Sequence, residues 1–536
     1  MAAQDTDVLV IGAGHNGLVA ANYLARAGLK VRVVDRRGVV GGAAVTQEFH
    51  PGYRNSVASY VVSLLSPKVI RELELERHGL TILDRPSGDF CPQPDGRYLQ
   101  IARDPALAKR DIAKFSKADA EAWEAYESEV FAIGEALRGL VSETPPNLGG
   151  GWRDVLGALK LGNRLRGLTR SQQQTLAELM TMSVGDYLDR WFESDPIKGN
   201  YGYEGVIGNF VGPYHQGSAY VLLHHVFGEV NGKTGAWGHA KGGMGAITQA
   251  MARSAEEHGV EIELGNGVRE VIVDGGRARG VVLDDGRRIH ARALAGACNP
   301  KLLFLSLMDP GLLPDDFRRR MEGWRCRSGT FRMNVALKEL PRFAALSGEN
   351  DEAHLTGTIN ISPSLDYIEQ AYIDARSRGW AREPVISMCI PSILDETLAP
   401  EGHHVASLFC QHFNPALPDG RSWDEVKEEV ADLIVETVTR YAPNFRDAVV
   451  GRQALSPLDL ERDFGLVGGD IFHGALHLDQ IYSLRPAAGY ADYRTPVAGL
   501  YLCGAGAHPG GGVTGLPGHN AAREMLRDFK RRRVPA

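Results

Sequence analysis

A strand–glycine turn–helix–strand unit at the start of the chain, a second strand–glycine loop–helix signature at its end and a β meander between them predict an α/β protein. The expected architecture is a Rossmann-like nucleotide-binding domain, with an interleaved α+β domain and a helical insertion. Residues 7–12 read Asp-Val-Leu-Val-Ile-Gly, a short β-branched run suited to a buried parallel strand. Leu18, Ala21, Leu24 and Ala25 then recur at helical spacing up to Gly28, and residues 31–34 give a second strand.

From about residue 104 to 200 helical patterns dominate, broken by the Pro- and Gly-rich stretch 143–151. Beyond it, Val155, Leu156, Leu159, Leu165 and Leu168 are expected to share one helix with Arg153, Lys160, Arg164, Arg166 and Arg170. Such a helix is read as packing its apolar face inward, with contact to a membrane surface as the alternative. Short strands follow at 260–264, 268–273 and 280–283, and more strands at 384–410. Residues 422–441 place Val426, Val430, Leu433, Ile434 and Val438 on one helix face. The expected division assigns residues 1–85, 230–300 and 450–536 to the nucleotide domain, and 86–229 and 301–449 to the second domain.

A net charge of −7 over 536 residues gives no electrostatic support for a nucleic-acid partner, and the basic end at 530–533 is read as a solvated tail. The six cysteines include no close pair, so neither a disulfide framework nor a metal site is expected. Scattered single thiols suit a reducing, cytoplasmic location. No apolar run has the length of a membrane span, and the early first strand leaves no expected room for a leader peptide. Oligomeric state is not legible.

The loop Gly12-Ala-Gly14-His-Asn-Gly17 joins strand to helix. There Gly12 permits the tight turn, Gly14 the approach of a pyrophosphate and Gly17 close helix–strand packing, while the helix N-terminus favours phosphate. Asp35 closes the second strand, where a carboxylate can accept from ribose hydroxyls. Arg36 and then Gly41-Gly42-Ala43 follow. A glycine pair at that point lets backbone approach a pyrophosphate and an isoalloxazine, which a simple NAD enzyme does not require. FAD is therefore the expected cofactor. Two further glycine clusters, at 238–245 and at 504–515, suggest one long cofactor crossing the fold, with the second near a flavin's N1–C2=O edge.

Gly41-Gly-Ala-Ala-Val-Thr46, Tyr220-Val-Leu-Leu-His-His225, Leu398-Ala-Pro-Glu-Gly402, Arg485-Pro486 and Leu502-Cys-Gly-Ala-Gly-Ala-His-Pro-Gly-Gly-Gly512 span most of the chain. On these runs the sequence resembles the phytoene desaturase and amine oxidase superfamily of flavoproteins, closest to its pyridine nucleotide-disulfide oxidoreductase domain branch. The resemblance implies an FAD-binding domain of the glutathione reductase type, with a backbone contact from Val268 to the adenine side. It also implies that Gly504, Gly506, Gly512 and Val513 lie at the flavin end. Ala43 stands where amine oxidases usually carry arginine, which favours the desaturase side. A disulfide reductase is not indicated, since no redox cysteine pair and no second dinucleotide fingerprint are present.

A flavin accepts hydride without an acid–base triad, so the protein's task is to position a C–H bond and exclude water. A largely apolar, isoprenoid- or lipid-like substrate is implied by the resemblance, with oxygen or a membrane quinone as electron acceptor. His225 and His508 are the leading candidates for catalytic roles, because a histidine can move a proton near neutral pH. His224, Glu229 and His473 are further polar candidates. The rival readings are a flavin-dependent isomerase without net electron transfer, and a catalytically idle flavoprotein acting as a partner.

Overall fold

The computed structural model describes residues 6–346 and 352–534. Its first sheet carries the nucleotide-type unit. In spatial order its strands are Glu261–Leu264, Val31–Asp35, Thr6–Ile11, Arg288–Gly296, Arg277–Leu283 and Val268–Asp274, and Leu500–Leu502 also pairs with Arg288–Gly296. Thr6–Ile11 runs parallel to both neighbours, with Val8 opposite Val31 on one side and Ala293 on the other. Parallel strands bury both faces, which is why Val8, Leu9 and Val10 are fully buried. Each such side chain contributes about 1.5–3 kcal/mol through burial.

The His15–Arg26 helix is buried almost all round, because it lies between the helices Gly245–Glu257 and Leu516–Lys530. Asn22 within it donates to the carbonyls of Leu18 and Met251, both at 2.9 Å, and so ties the first helix to the central one. Three segments distant in sequence thereby share one core.

The second sheet has the order Val449–Leu455, Phe331–Leu337, His404–Phe413, Trp380–Cys389, Thr358–Ile361, Asp89–Pro92 and Tyr98–Ile101. It is antiparallel except where Thr358–Ile361 meets Asp89–Pro92. The helix Trp423–Tyr441 covers it with Val426, Val430, Ile434 and Val438, and begins in a capping box between Ser422 and Glu425. A third core is built around Trp123, Tyr126, Tyr187 and Tyr201 from the helices Lys117–Arg138, Val184–Leu188 and Asp195–Val206.

Two expected boundaries move. The strand Val449–Leu455 pairs with Phe331–Leu337, so a division at 450 cuts a strand of the second sheet. Leu303, Phe304, Met308, Phe317 and Met321 pack into the core of the first sheet, so the segment after 301 stays with the nucleotide-type unit. The expected single helix through Leu168 and Arg170 is two helices. Trp152–Arg166 ends before Gly167, and Thr169 caps Arg170–Thr181 through a box with Gln172. The first of these packs none of its residues fully inward.

Candidate active site

The chain leaves Thr6–Ile11, turns over Gly12 and enters its first helix at His15, with Gly14 as an N-cap that has no side-chain bond. The first-turn N–H groups therefore lie at a cavity lined by Gly12, Gly14, His15, Asn16 and Gly17 with no competing cap. Gly17 is required by close approach: a Cβ there would sit 2.1 Å from the Gly12 carbonyl oxygen and 3.1 Å from the Ala297 methyl. Asp35 also lines the cavity, and its carboxylate accepts from the N–H of Ala13 at 2.7 Å and of Arg37 at 2.8 Å. Each oxygen retains a lone pair for a ribose hydroxyl.

The cavity, of about 460 Å³, continues past Arg36, Gly42, Ala43, Gly267 and Val268 to Ala505, Gly511, Gly512 and Val513. Thus residues from the start, middle and end of the chain line one space. Gly41 is behind the wall: its N–H donates to the Ala13 carbonyl at 2.9 Å and sets the second glycine turn against the first. Gly512 has φ +103°, and a Cβ there would meet Leu64 at 2.5 Å. Val513 itself holds φ +58°, a left-handed conformation costly for a β-branched residue. Gly504 and Gly506 do not line the cavity; they admit the backbone of Ala297 and the ring of Pro300.

Arg37 was not among the expected residues. It lines the cavity, donates to the Gly42 carbonyl at 3.2 Å and lies 4.5 Å over the Phe464 ring. It places a cation beside the second glycine turn, where Ala43 supplies none. Its only sequence signal was its position directly after Arg36.

Among the described residues, six side-chain atoms of cavity-lining residues have no hydrogen-bond partner: His15 Nε2, Asn16 Oδ1, Ser63 Oγ, His224 Nε2, His225 Nδ1 and His473 Nδ1. Buried polar atoms are rarely left so. A long ligand bearing phosphates, hydroxyls and ring amides meets that demand, so the residues fit a flavin dinucleotide. Beyond the glycine turns the wall becomes apolar, with Tyr60, Leu64, Ile207, Phe409, Ile471 and Phe472. Tyr60 and Phe409 stack at 5.6 Å, and the buried Arg332 guanidinium lies 4.6 Å from the Tyr60 ring, bracing that wall from behind.

His224 and His225 arrive on the short helix Tyr220–His225. His508 does not line the cavity: its Nε2–H donates to the Leu140 carbonyl at 2.9 Å. Glu229 is partly exposed and pairs with Arg138 at 3.6 Å. A second cavity, of about 590 Å³, meets the first at His225 and Trp237 and is lined by Asp89, Glu127 and Glu204. Burial holds all three carboxyls above the usual range, and mutual repulsion adds to this for Glu204. Glu204 Oε2 lies 3.9 Å from His225 Nδ1. Glu204 escaped sequence reading because nothing local distinguishes it from a surface glutamate.

Burial pushes His224 down to about 3 and His225, His473 and His508 down to about 4, so all four are neutral at pH 7. Below pH 6.5 the unfolded chain takes up protons that these folded histidines refuse. Stability is therefore complete above that pH and is lost as pH falls toward 4. Each buried histidine should withdraw roughly 1 kcal/mol by pH 5.5. Thermal melts at pH 7.5 and 5.5 check this, and an unchanged midpoint would contradict neutral burial.

All six cysteines are free, and the cavity-lining Cys298 is pushed up to about 12 by burial, which removes thiolate from this site at neutral pH. Among the described residues, no group of three or more His, Cys, Asp or Glu could hold a metal ion.

The convergent glycine turns, the acid at the second strand and the apolar far wall define an FAD-dependent oxidoreductase. More narrowly, the chain belongs to the flavin containing amine oxidoreductase family, which it matches over residues 17–526. It is 42% identical to pyridine nucleotide-disulfide oxidoreductase domain-containing protein 2 of Rattus norvegicus, covering 98% of this chain and 94% of the relative. A limonene dehydrogenase polypeptide of Castellaniella defragrans is 25% identical, covering 98% of this chain and 95% of the relative. A lycopene-forming phytoene desaturase of Pseudescherichia vulneris is also 25% identical, covering 95% of this chain and 96% of the relative. Among solved structures, a putrescine oxidase triple mutant superposes with a TM-score of 0.62 at 17% identity, covering 98% of this chain and 99% of that one.

With both Asp35 oxygens already fixed by backbone N–H groups, the carboxylate is oriented before any ribose arrives. Asp35→Ala should weaken FAD retention about tenfold, as expected for loss of a hydrogen bond to a charged group. Equilibrium titration of the apoprotein with FAD measures it, and an unaltered affinity removes Asp35 from the site.

Proposed function

We propose that the protein oxidises a largely apolar, isoprenoid- or lipid-like substrate, in the manner of a desaturase or dehydrogenase. The observation that carries this reading is the change in wall chemistry along one cavity, from glycine turns and Asp35 to Tyr60, Leu64, Ile207, Phe409, Ile471 and Phe472. The relatives named for limonene and phytoene support an isoprenoid class. When bound, FAD supplies a hydride acceptor at N5, and oxygen or a membrane quinone is the proposed final acceptor.

The chain's own residues do the rest. The N–H groups after Gly14, together with Arg37, hold the pyrophosphate, and Asp35 orients the ribose. Val268 backs the adenine, while Gly512 and Val513 present backbone to the flavin end. Tyr60 and Phe409 hold the substrate's apolar body and exclude water. His225 stands where the two cavities meet. Its neutral imidazole is the group assigned to take the substrate's proton, with the Glu204 carboxyl 3.9 Å from Nδ1 as its polar neighbour in a chamber shared with Asp89 and Glu127.

Anaerobic mixing of the holoprotein with candidate compounds tests the substrate class. Terpenoid compounds should bleach the flavin, and primary amines should not. Bleaching by amines alone would overturn the reading. His225→Ala should slow bleaching by about 10²-fold while flavin content stays that of the parent protein. An unchanged rate would exclude His225 from proton transfer.

A further inference from the structure

The helix Trp152–Arg166 is amphipathic, but its apolar face points outward. Trp152 is 72% exposed, Leu159 64%, Val155 55% and Leu156 54%, and Leu148 just before the helix is 58% exposed. At 100° per residue, Trp152, Val155, Leu156 and Leu159 fall on one face. The opposite side is the one fastened to the body. Asp154 accepts the Asn147 N–H at 2.8 Å, and Asn147 in turn accepts the Ala491 N–H at 2.7 Å. Lys160 and Arg164 both pair with Glu143, at 3.0 and 3.1 Å. Thr144 reaches Glu524 and Arg523 on the closing helix, at 2.8 and 2.9 Å. The helix is thus held by the side that carries Asp154, Arg164 and the half-buried Leu161 and Leu165, and four large apolar side chains are presented to the exterior.

Charge identifies what covers them. Arg153, Lys160, Arg164, Arg166 and Arg170 stand in this segment against one carboxylate, Asp154, within a chain of net charge −7. Among the described residues, no carboxylate pairs with Arg153, Arg166 or Arg170. Lys160 and Arg153 flank the apolar face on one side, Arg166 lies on it near the C-terminal end, and Arg170 follows at the start of the next helix. Cations around an exposed Trp/Leu/Val face complement a surface that is negative outside and apolar beneath. A second copy docked through the same face would bring a matching apolar surface but would set Arg153, Lys160 and Arg166 against their own counterparts.

We propose that this helix docks the protein on an anionic lipid surface, with Trp152, Val155, Leu156 and Leu159 entering the headgroup–acyl boundary. The site neighbours the flavin-end loop: Leu140, in the segment leading to the helix, accepts the hydrogen bond of His508.

The test is sedimentation of the purified holoprotein with vesicles of phosphatidylcholine and phosphatidylglycerol in equal parts, beside vesicles of phosphatidylcholine alone. The protein should sediment with the anionic vesicles and be released at high salt. Trp152, the one tryptophan among the exposed large hydrophobic residues, should give a blue shift in fluorescence on binding that Trp152→Phe removes. Leu156→Glu with Leu159→Glu should lower vesicle affinity at least about tenfold while flavin content and melting midpoint match the parent, as exposed positions allow. Parent protein that stays in the supernatant with anionic vesicles overturns the proposal, as does a double variant that binds undiminished. Parent dimers that the same double variant converts to monomers, without vesicle binding, would assign the face to a second copy and also overturn it.

Discussion

Gly17→Ala is expected to give a colourless or nearly colourless protein. The added methyl would lie 2.1 Å from the Gly12 carbonyl oxygen, and the Ala297 methyl at 3.1 Å blocks retreat in another direction. Both obstacles belong to the turn and strand ends that shape the phosphate site, so the first helix must shift away from the loop. Overpacking of this kind costs about 1–3 kcal/mol in stability. The displaced N–H groups should lower FAD affinity by about 10²-fold or more, since a shift near 1 Å at a positioned group has effects of that size. Gly14→Ala separates folding from binding. Its Cβ meets nothing closer than 4.0 Å in the protein, and its backbone, at φ −73° and ψ 169°, suits alanine. That variant should lose only the roughly 1 kcal/mol that alanine costs at an N-cap, yet bind FAD more weakly, because the methyl enters the space assigned to the pyrophosphate. Titration of both apoproteins with FAD, beside their melts, checks the pair. Parent-like affinity in Gly14→Ala would place the pyrophosphate elsewhere.

Arg485→Met should produce the largest loss of stability. Arg485 is fully buried and donates to the carbonyls of Ala505 at 2.7 and 3.0 Å, Phe472 at 2.8 Å and Gln480 at 2.9 Å. Its guanidinium also lies 5.4 Å from the Trp324 ring. One side chain thus fastens the 472–480 segment to the 505 loop, and Phe472, His473 and Ala505 all line the first cavity. Methionine matches much of the length but leaves several buried carbonyls without donors, at about 3–5 kcal/mol in total. Denaturant unfolding followed by flavin fluorescence should show early release of FAD. A midpoint within experimental scatter of the parent would show that those carbonyls find water or another donor.

The nucleotide half of the fold was legible because its chemistry is local. Gly12, Gly14 and Gly17 sit at fixed offsets between a β-branched run and a helix, and Asp35 follows at the end of the next strand. These features need only a few tens of residues of context. Gly512 and Val513, singled out through the family resemblance, line the same cavity as the first glycine turn. What escaped reading depends on contacts between distant segments. Arg485 looked like part of a motif, and only the converging loops show that it is a clamp. Glu204 reads as an ordinary helical carboxylate until the Asp195–Val206 helix brings it beside His225. His508 was misplaced for a converse reason: a histidine inside a glycine loop suggested the flavin, but its ring turns to Leu140. The 152–166 helix showed its pattern plainly in sequence. Amphipathicity fixes which residues share a face but not which way that face points: of the residues expected to pack inward, Val155, Leu156 and Leu159 face outward, while Leu165 and Leu168 are half-buried.

Electron density for FAD in the crystallised holoprotein would test the convergence of the three glycine turns on one cofactor without any intermediary. Pyrophosphate should lie against the Gly12–Gly17 turn, with a ribose on Asp35. The flavin ring should lie between Val513 and the Tyr60–Phe409 wall. Density that leaves Asp35 without a ribose, or that sets the flavin ring away from Gly512 and Val513, would contradict this placement.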